Sequence, residues 1–378
     1  MKNILIVFGT RPEAIKLCPL VIAIRNRKDA FKVVTCVTAQ HREMLDQVLE
    51  IFNIIPEYDL NIMSKDQTLF DITGKVINGL QKIIHNETTD MVIVQGDTTT
   101  TFATALAAYY KRISIGHVEA GLRTWDKYSP YPEEMNRKLT SALADLHFAP
   151  TAQSRENLLK EAVPDENIYI TGNTVIDALL TVRDKIRSEN KHFKMLDCID
   201  RRKRTILVTG HRRESFGQGF INLCNALKDI ALNNPDIEVV YPVHLNPSVK
   251  KPVYSILSEL NNVKLLEPLD YEPFIALLDS SYIVITDSGG IQEEAPSLGK
   301  PVLVTREKTE RPEALMTGGV KLVGTSREKI VTETQRLLDN PELYKTMSIV
   351  QNPYGDGHAC ERIINILIDY FKSNTTCR

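Results

Sequence analysis

The sequence predicts an α/β protein built from two Rossmann-like domains, each a parallel sheet wrapped by helices. Short, nearly continuous apolar runs alternate with amphipathic helical stretches along the whole chain, the pattern of strands buried on both faces. That pattern stops at a polar, charge-rich stretch and then starts again. The polar residues best suited to chemistry follow the ends of strands, where open parallel sheets bind their ligands.

In the first half, apolar runs place strands near residues 4–8, 33–37, 91–94, 113–118, 147–149 and 168–171. Helical spacing of apolar residues places helices over 14–25, 43–52, 69–84, 101–109, 134–145 and 154–161. The break is Arg187-Ser188-Glu189-Asn190-Lys191-His192 and the charged segment up to Arg204. Strands then resume near 205–208, 238–241, 263–266, 282–286, 302–304 and 321–323, with helical stretches between them. We place the first domain at 1–171, the second at 172–360 and a hinge between about 171 and 204. The closing apolar helix, from 361 onward, is expected to pack back on the first domain. Two such sheets facing each other would enclose a deep interdomain cleft.

A chain of 378 residues can hold two real cores. Its hydrophobic share of 43% and charged share of 25% are those of a soluble globular protein. The formal net charge of -2 gives no global attraction to nucleic acid or an anionic membrane. No apolar run approaches the roughly 20 residues of a membrane span, and the N-terminal apolar stretch reads as a buried strand rather than a signal peptide. The cysteines at 18, 36, 198, 224, 360 and 377 are scattered without C-x-x-C, so we expect reduced packing residues and a cytoplasmic location.

The segment Ile283-Val284-Ile285-Thr286-Asp287-Ser288-Gly289-Gly290 is a strand followed by a hydroxyl and two glycines at a helix start. Free amides and the helix dipole favour an anion there, and glycine lets a phosphate come close. Glu294, about one turn on, could accept hydrogen bonds from ribose hydroxyls. Taken alone, Ser-Gly-Gly fits an ordinary strand-to-helix turn equally well. Other polar groups follow strands: Arg11 and Lys16 after the first, Asp97 after 91–94, and Glu119 after 113–118. His211 and Arg212, and then His244, follow the first two strands of the second half. Each has a structural alternative. Asp97 could cap the next helix, Glu133 and Glu134 suit a helix start, His211 could be a hydrogen-bonded loop histidine, and the arginines could pair with acids. Missing signatures narrow the field. There is no G-x-G-x-x-G after the first strand, no P-loop, no G-x-S-x-G and no H-x-x-x-H, so dinucleotide, NTPase, serine-hydrolase and zinc chemistry are not expected.

Together these motifs resemble the bacterial non-hydrolysing UDP-N-acetylglucosamine 2-epimerases. The resemblance rests on the segments 8–16, 95–100, 117–123, 128–137, 209–214, 241–247, 286–297, 309–313 and 352–357, in order along nearly the whole chain. It implies a GT-B type fold, reversible conversion of UDP-N-acetylglucosamine to UDP-N-acetylmannosamine for surface polysaccharide, a homodimer, and no cofactor or metal. The C2 hydrogen of the sugar is not acidic, because no carbonyl stands next to C2. The family therefore eliminates UDP across C1–C2 to 2-acetamidoglucal and adds it back with a proton on the other face.

By resemblance Asp97, Glu119 and Glu133 are the acid-base groups, with the first proton acceptor left open, and His211 acts at the leaving diphosphate. Arg11, Lys16, Arg212, His244, Phe274, Arg311 and the Ser288, Gly289 and Gly290 amides would hold UDP, and Glu294 the ribose. Closure of the cleft would keep water from the glycal. Gln40, Gln67 and Arg212 resemble a second site at which UDP-N-acetylglucosamine acts as allosteric activator, with Asp66 standing where a basic residue is usual. The rival readings are the hydrolysing sibling, a GT-B glycosyltransferase and a non-catalytic nucleotide-sugar sensor. The two glutamines and the full-length match favour the non-hydrolysing epimerase.

Overall fold

The computed structural model describes residues 1–39, 42–64, 66–210, 212 and 217–375. Its strands are β1 (Lys2–Phe8), β2 (Phe31–Val37), β3 (Tyr58–Asp59), β4 (Met91–Gln95), β5 (Ser114–Val118), β6 (Leu146–Ala149) and β7 (Ile168–Ile170), then β8 (Arg204–Thr209), β9 (Ile237–Pro242), β10 (Val263–Leu266), β11 (Ile283–Thr286), β12 (Val302–Val304) and β13 (Val320–Leu322). The helices of the first half are α1 (Arg11–Arg25), α2 (Arg42–Ile51), α3 (Leu69–Asn86), α4 (Thr99–Tyr110), α5 (Glu133–Leu143), α6 (Ala152–Lys160) and α7 (Thr174–Ser188). Those that follow are α8 (Gln218–Asn233), α9 (Pro247–Leu257), α10 (Tyr271–Ser280), α11 (Gly289–Ser297), α12 (Pro312–Met316), α13 (Arg327–Asp339), α14 (Pro341–Ser348) and α15 (Ala359–Thr375).

Every strand pairing is parallel, in two sheets of order β3-β2-β1-β4-β5-β6-β7 and β10-β9-β8-β11-β12-β13. This is the doubly wound α/β class the sequence predicts, present once in each half. In the first sheet the chain winds outward from β1 and then returns to β4 on its other side, so strand order reverses between β1 and β4. In the second sheet it reverses between β8 and β11. The loops that leave these strands are the ones free to hold a ligand at a switch point. Only the short strand β3 has no counterpart in the sequence reading.

The strands are apolar almost throughout because helices cover both faces. In the first sheet Leu5, Val7, Val34, Val92, Val94 and Ile115 pack with Val76, Leu80 and Ile83 of α3 and the alanines at 103, 107 and 108 of α4. Small side chains on α4 let that helix lie close to the sheet. The second core joins Ile206, Val208, Val239, Tyr241, Ile283 and Ile285 to Phe220, Leu223 and Leu227 of α8. Cys18, Cys36, Cys224 and Cys360 are buried and unpaired, and burial pushes the Cys36 and Cys224 thiols up to about 12. Among the described residues no helix is long and apolar enough to cross a membrane.

The chain divides into two compact units, residues 1–181 with 354 onward, and 182–353. The division falls inside α7, after residue 171 and within the hinge expected between about 171 and 204, and the return comes at Tyr354, before 361. The reason is a set of bonds invisible in composition. Asp177 of α7 accepts the backbone N–H of Ala359 at 3.2 Å and of Cys360 at 2.9 Å, capping the start of α15. Asn173 donates its N–H to the Tyr354 carbonyl at 2.6 Å. Farther along α15, Phe371 packs on Phe31 and Tyr370 meets Ser114 at 3.1 Å. The polar break at 187–192 marks the end of α7 rather than the change of unit.

Candidate active site

In the first unit the site grows from the two switch-point loops. Thr10 and Glu13 form a capping box at the start of α1. The Glu13 carboxylate, buried, accepts from the Gly9 and Thr10 amides at 3.0 and 2.8 Å and from the Thr98 and Thr101 hydroxyls at 2.6 and 3.1 Å. One side chain thus ties the loop after β1 to the loop after β4. Burial pushes its carboxyl up while these bonds pull it down. Arg11 opens α1, half-buried, and makes no ion pair among the described residues.

Two consecutive strands then end in left-handed turns. Gly96 follows β4 with φ +72° and Glu119 follows β5 with φ +60°. A side chain in that region costs roughly 1–2 kcal/mol, so Glu119 is held there by its surroundings. The Gly96 amide donates to the Val118 carbonyl at 2.9 Å, and His117 Nε2 bonds the Gly96 carbonyl at 2.8 Å. Since that carbonyl can only accept, the His117 proton sits on Nε2. Asp97 comes next, but it does not cap α4. Thr98 does, accepting the Thr101 amide at 3.1 Å.

The carboxylates of Asp97 and Glu119 converge on Arg137 of α5. Its NH2 lies 2.5 Å from Asp97 Oδ2 and 3.6 Å from Glu119 Oε1. The Asn136 amide fixes the Asp97 backbone carbonyl at 3.0 Å. Glu119 Oε2 accepts from Lys16 Nζ, from Gln95 at 2.9 Å and from Asn173 at 3.3 Å. Glu119 is therefore surrounded by donors, whereas Asp97 keeps Oδ1 without a bond among the described residues. Glu133 is the first residue of α5, half-buried and without a hydrogen bond or ion pair among the described residues. Its neighbour Glu134 turns inward and accepts the Thr124 and Trp125 amides at 2.9 and 3.0 Å. Gln67 lies in the segment before α3, its Oε1 3.4 Å from Ser64 Oγ, and Asp66 beside it has φ +57°.

In the second unit the loops after β8 and β11 are likewise joined. Thr209 and Thr286 hydroxyls meet at 2.6 Å, Asp287 Oδ2 accepts the Arg212 amide at 2.8 Å, and Tyr241 OH donates to the Gly210 carbonyl at 2.9 Å. Ser288 caps α11 by position, yet its amide donates to Thr286 Oγ1 at 2.9 Å. That amide, expected to hold phosphate, is taken within the fold. Gly289 and Gly290 supply the first amides of α11, and Arg212 NH2 reaches within 3.8 Å of the place a Cβ on Gly289 would occupy. Glu294 is buried on the same helix. Arg311, also expected to hold UDP, is an ion-pair partner of buried Glu293. Arg212 NH1 lies 3.7 Å from Glu310 Oε1, which Arg306 also approaches at 3.3 Å. His244 is exposed after β9, its Nδ1 accepting the Asn246 amide at 3.1 Å, and Phe274 is half-buried on α10. Gln40 and His211 lie outside the described residues.

The family model for UDP-N-acetylglucosamine 2-epimerase matches residues 23–368. The chain belongs to the UDP-N-acetylglucosamine 2-epimerase family. It is 57% identical to the UDP-N-acetylglucosamine 2-epimerase of Campylobacter jejuni, over 97% of this chain and 98% of that one. To the enzyme of that name from Escherichia coli K12 it is 58% identical, over 97% and 98%. The crystal structure of UDP-GlcNAc 2-epimerase from Neisseria meningitidis bound to UDP-GlcNAc superposes with a TM-score of 0.88 at 48% identity, covering 97% of this chain and 100% of that one.

In this family member, sequence reasoning finds Lys16, Asp97 and Glu119, which the fold brings to one cluster, but assigns no role to Arg137, Gln95, Asn173 or Glu13. One signal was available for Arg137, which stands four residues after Glu133 on one helix face.

Two buried histidines give the first unit a measurable pH response. Burial pulls His117 down to about 3 and His147 down to about 4. Unfolded, each takes a proton near pH 6.5, so between that pH and the folded value the unfolded chain binds more protons and stability falls as pH drops. At pH 5 each histidine is expected to cost about 2 kcal/mol relative to pH 7. Urea midpoints at the two pH values check this. His147→Gln should shrink the difference, and an unchanged difference refutes the assignment.

Proposed function

We propose that this chain is a non-hydrolysing epimerase that interconverts UDP-N-acetylglucosamine and UDP-N-acetylmannosamine. In the forward step a carboxylate takes the proton from C2, the C1=C2 bond forms, and the C1–O electron pair leaves on the β-phosphate oxygen as UDP. In the return step that oxygen adds to C1 while a carboxylic acid delivers a proton to the other face of C2. No electron acceptor is needed, since nothing is oxidised overall. The observation that carries the reading is the meeting of Asp97 and Glu119 at Arg137, with Glu133 one turn earlier on the same helix face. Two ionisable carboxylates beside a third suit a reaction that removes a proton on one face and restores it on another. The free amides at Gly289 and Gly290 beside Arg212 suit a diphosphate that must leave and stay bound.

The same reading gives a cytoplasmic homodimer supplying N-acetylmannosamine units for surface polysaccharide. It also gives a regulatory UDP-N-acetylglucosamine site drawing on Gln40, Gln67 and Arg212. The test is one NMR time course with UDP-N-acetylglucosamine as sole substrate in deuterated water. Deuterium is expected at C2 of the UDP-N-acetylmannosamine formed, without free UDP rising in step. Free UDP accumulating with free N-acetylmannosamine would make the protein the hydrolysing form, and an unlabelled C2 would remove the elimination.

A further inference from the structure

We infer that Arg137 is a positioning residue that couples Asp97 to Glu119 through one guanidinium nitrogen and so sets the lowest pH at which the site can accept a proton. This rests on the epimerase reading above. The two carboxylates come from different strand ends, the loop after β4 and the residue after β5. Each is placed by a left-handed turn, at Gly96 and at Glu119 itself. The backbone of the two turns is tied by the Gly96 amide to the Val118 carbonyl and by His117 to the Gly96 carbonyl, but those bonds do not join one carboxylate to the other. The relation comes from α5, whose Arg137 is buried and reaches both at 2.5 and 3.6 Å.

The groups facing this guanidinium are few. Asp97 stands at the head of α4, Glu119 after β5, Lys16 of α1 behind Glu119, and buried His117 of β5 nearby. Glu133 lies one turn away on α5 itself. Two carboxylates near one another each disfavour the other's charged form, and a cation shared between them offsets that repulsion. Lys16 serves Glu119 alone among the described residues, so Asp97 depends on Arg137. Asp97 also keeps one oxygen unbonded among the described residues, and Arg137 holds the other, so the guanidinium aims the carboxylate.

The experiment is the pH profile of kcat and KM for the full-length protein and for Arg137→Met and Arg137→Lys. Wild-type epimerisation is measured first, and its absence would refute the function rather than this inference. For Arg137→Met the acid limb of kcat is expected to move up by about one pH unit or more, because the carboxylate then needs a higher pH to ionise. At neutral pH kcat should fall by ~100-fold while KM stays within about threefold. Arg137→Lys, which keeps a charge but not the fork, should recover ~10-fold of that loss and bring the acid limb back. An unmoved acid limb in both variants overturns the inference. So does a loss that Arg137→Lys fails to relieve while its thermal melt matches wild type, since the shared charge would then not be what matters. If Arg137→Met does not fold, Arg137→Gln, which keeps a polar side chain but no charge, is measured in its place: an acid limb moved up from wild type supports the coupling and a coincident one refutes it.

Discussion

Asp97→Asn is expected to abolish epimerisation, with kcat down at least ~10³-fold, while UDP still binds within about threefold of wild type. The substitution is nearly isosteric. The amide carbonyl of asparagine can still accept from Arg137, and the backbone carbonyl at 97 still accepts the Asn136 amide, so the loop after β4 keeps its anchors. What disappears is the ability of the unbonded oxygen to take or give a proton. The groups proposed above for the diphosphate, Gly289, Gly290 and Arg212, are not changed by the substitution. NMR turnover assays with calorimetric titration of UDP separate the two effects. Activity within tenfold of wild type would take Asp97 out of the proton chemistry.

The second large effect is structural. Gly121→Ala should lower the melting temperature of the first unit by ~6–15 °C, from a cost of about 3–5 kcal/mol. Gly121 lies in the left-handed region at φ +91°, and an added Cβ would stand 2.2 Å from the Ser154 carbonyl oxygen and 3.0 Å from Leu158. The obstacle is backbone, not the tip of a flexible side chain, so α6 must move away from its buried Leu158. Gly96→Ala is the internal comparison. That glycine has a similar φ of +72° but nothing within 4 Å of the added carbon. Its cost is then the left-handed strain alone, roughly 1–2 kcal/mol. Thermal melts of the two variants check the contrast, and equal shifts would show that packing against α6 is not the cause.

The strands were legible because burial on both faces leaves short, nearly unbroken apolar runs bounded by turn residues, although residues 17–24 of α1 carry such a run inside a helix. Tyr58–Asp59 escaped because two residues carry no period. The unit boundary, at 181/182 within the hinge expected between about 171 and 204, was not legible to the residue for a different reason. A polar stretch marks a helix end and a linker equally well, whereas the bonds from Asn173 and Asp177 to residues 354–360 join positions far apart in sequence. In the site, Asp97 and Glu119 stood out because a carboxylate just past an apolar strand is costly unless something holds it. The holders did not stand out. Gln95 ends a strand, Arg137 sits within a helix and Asn173 follows a glycine, all ordinary places for those residue types. Glu133 was set apart from Glu134 by resemblance alone; the fold turns Glu134 toward the loop amides at 124 and 125 and leaves Glu133 half-exposed. Ser288 and Arg311 were assigned to UDP by resemblance, which does not reveal their partners within the fold, Thr286 and Glu293.

The return of the polypeptide at Tyr354 imposes an order on synthesis. The first sheet emerges from the ribosome early, yet the partners of Asn173, Asp177, Phe31 and Ser114 are translated only after all of residues 182–353. The intervening unit, continuous in sequence, can finish folding while its elder neighbour still lacks a buttress. The half carrying Asp97 and Glu119 is thus completed only after residues 182–353 have been made, although both of those carboxylates are translated well before them.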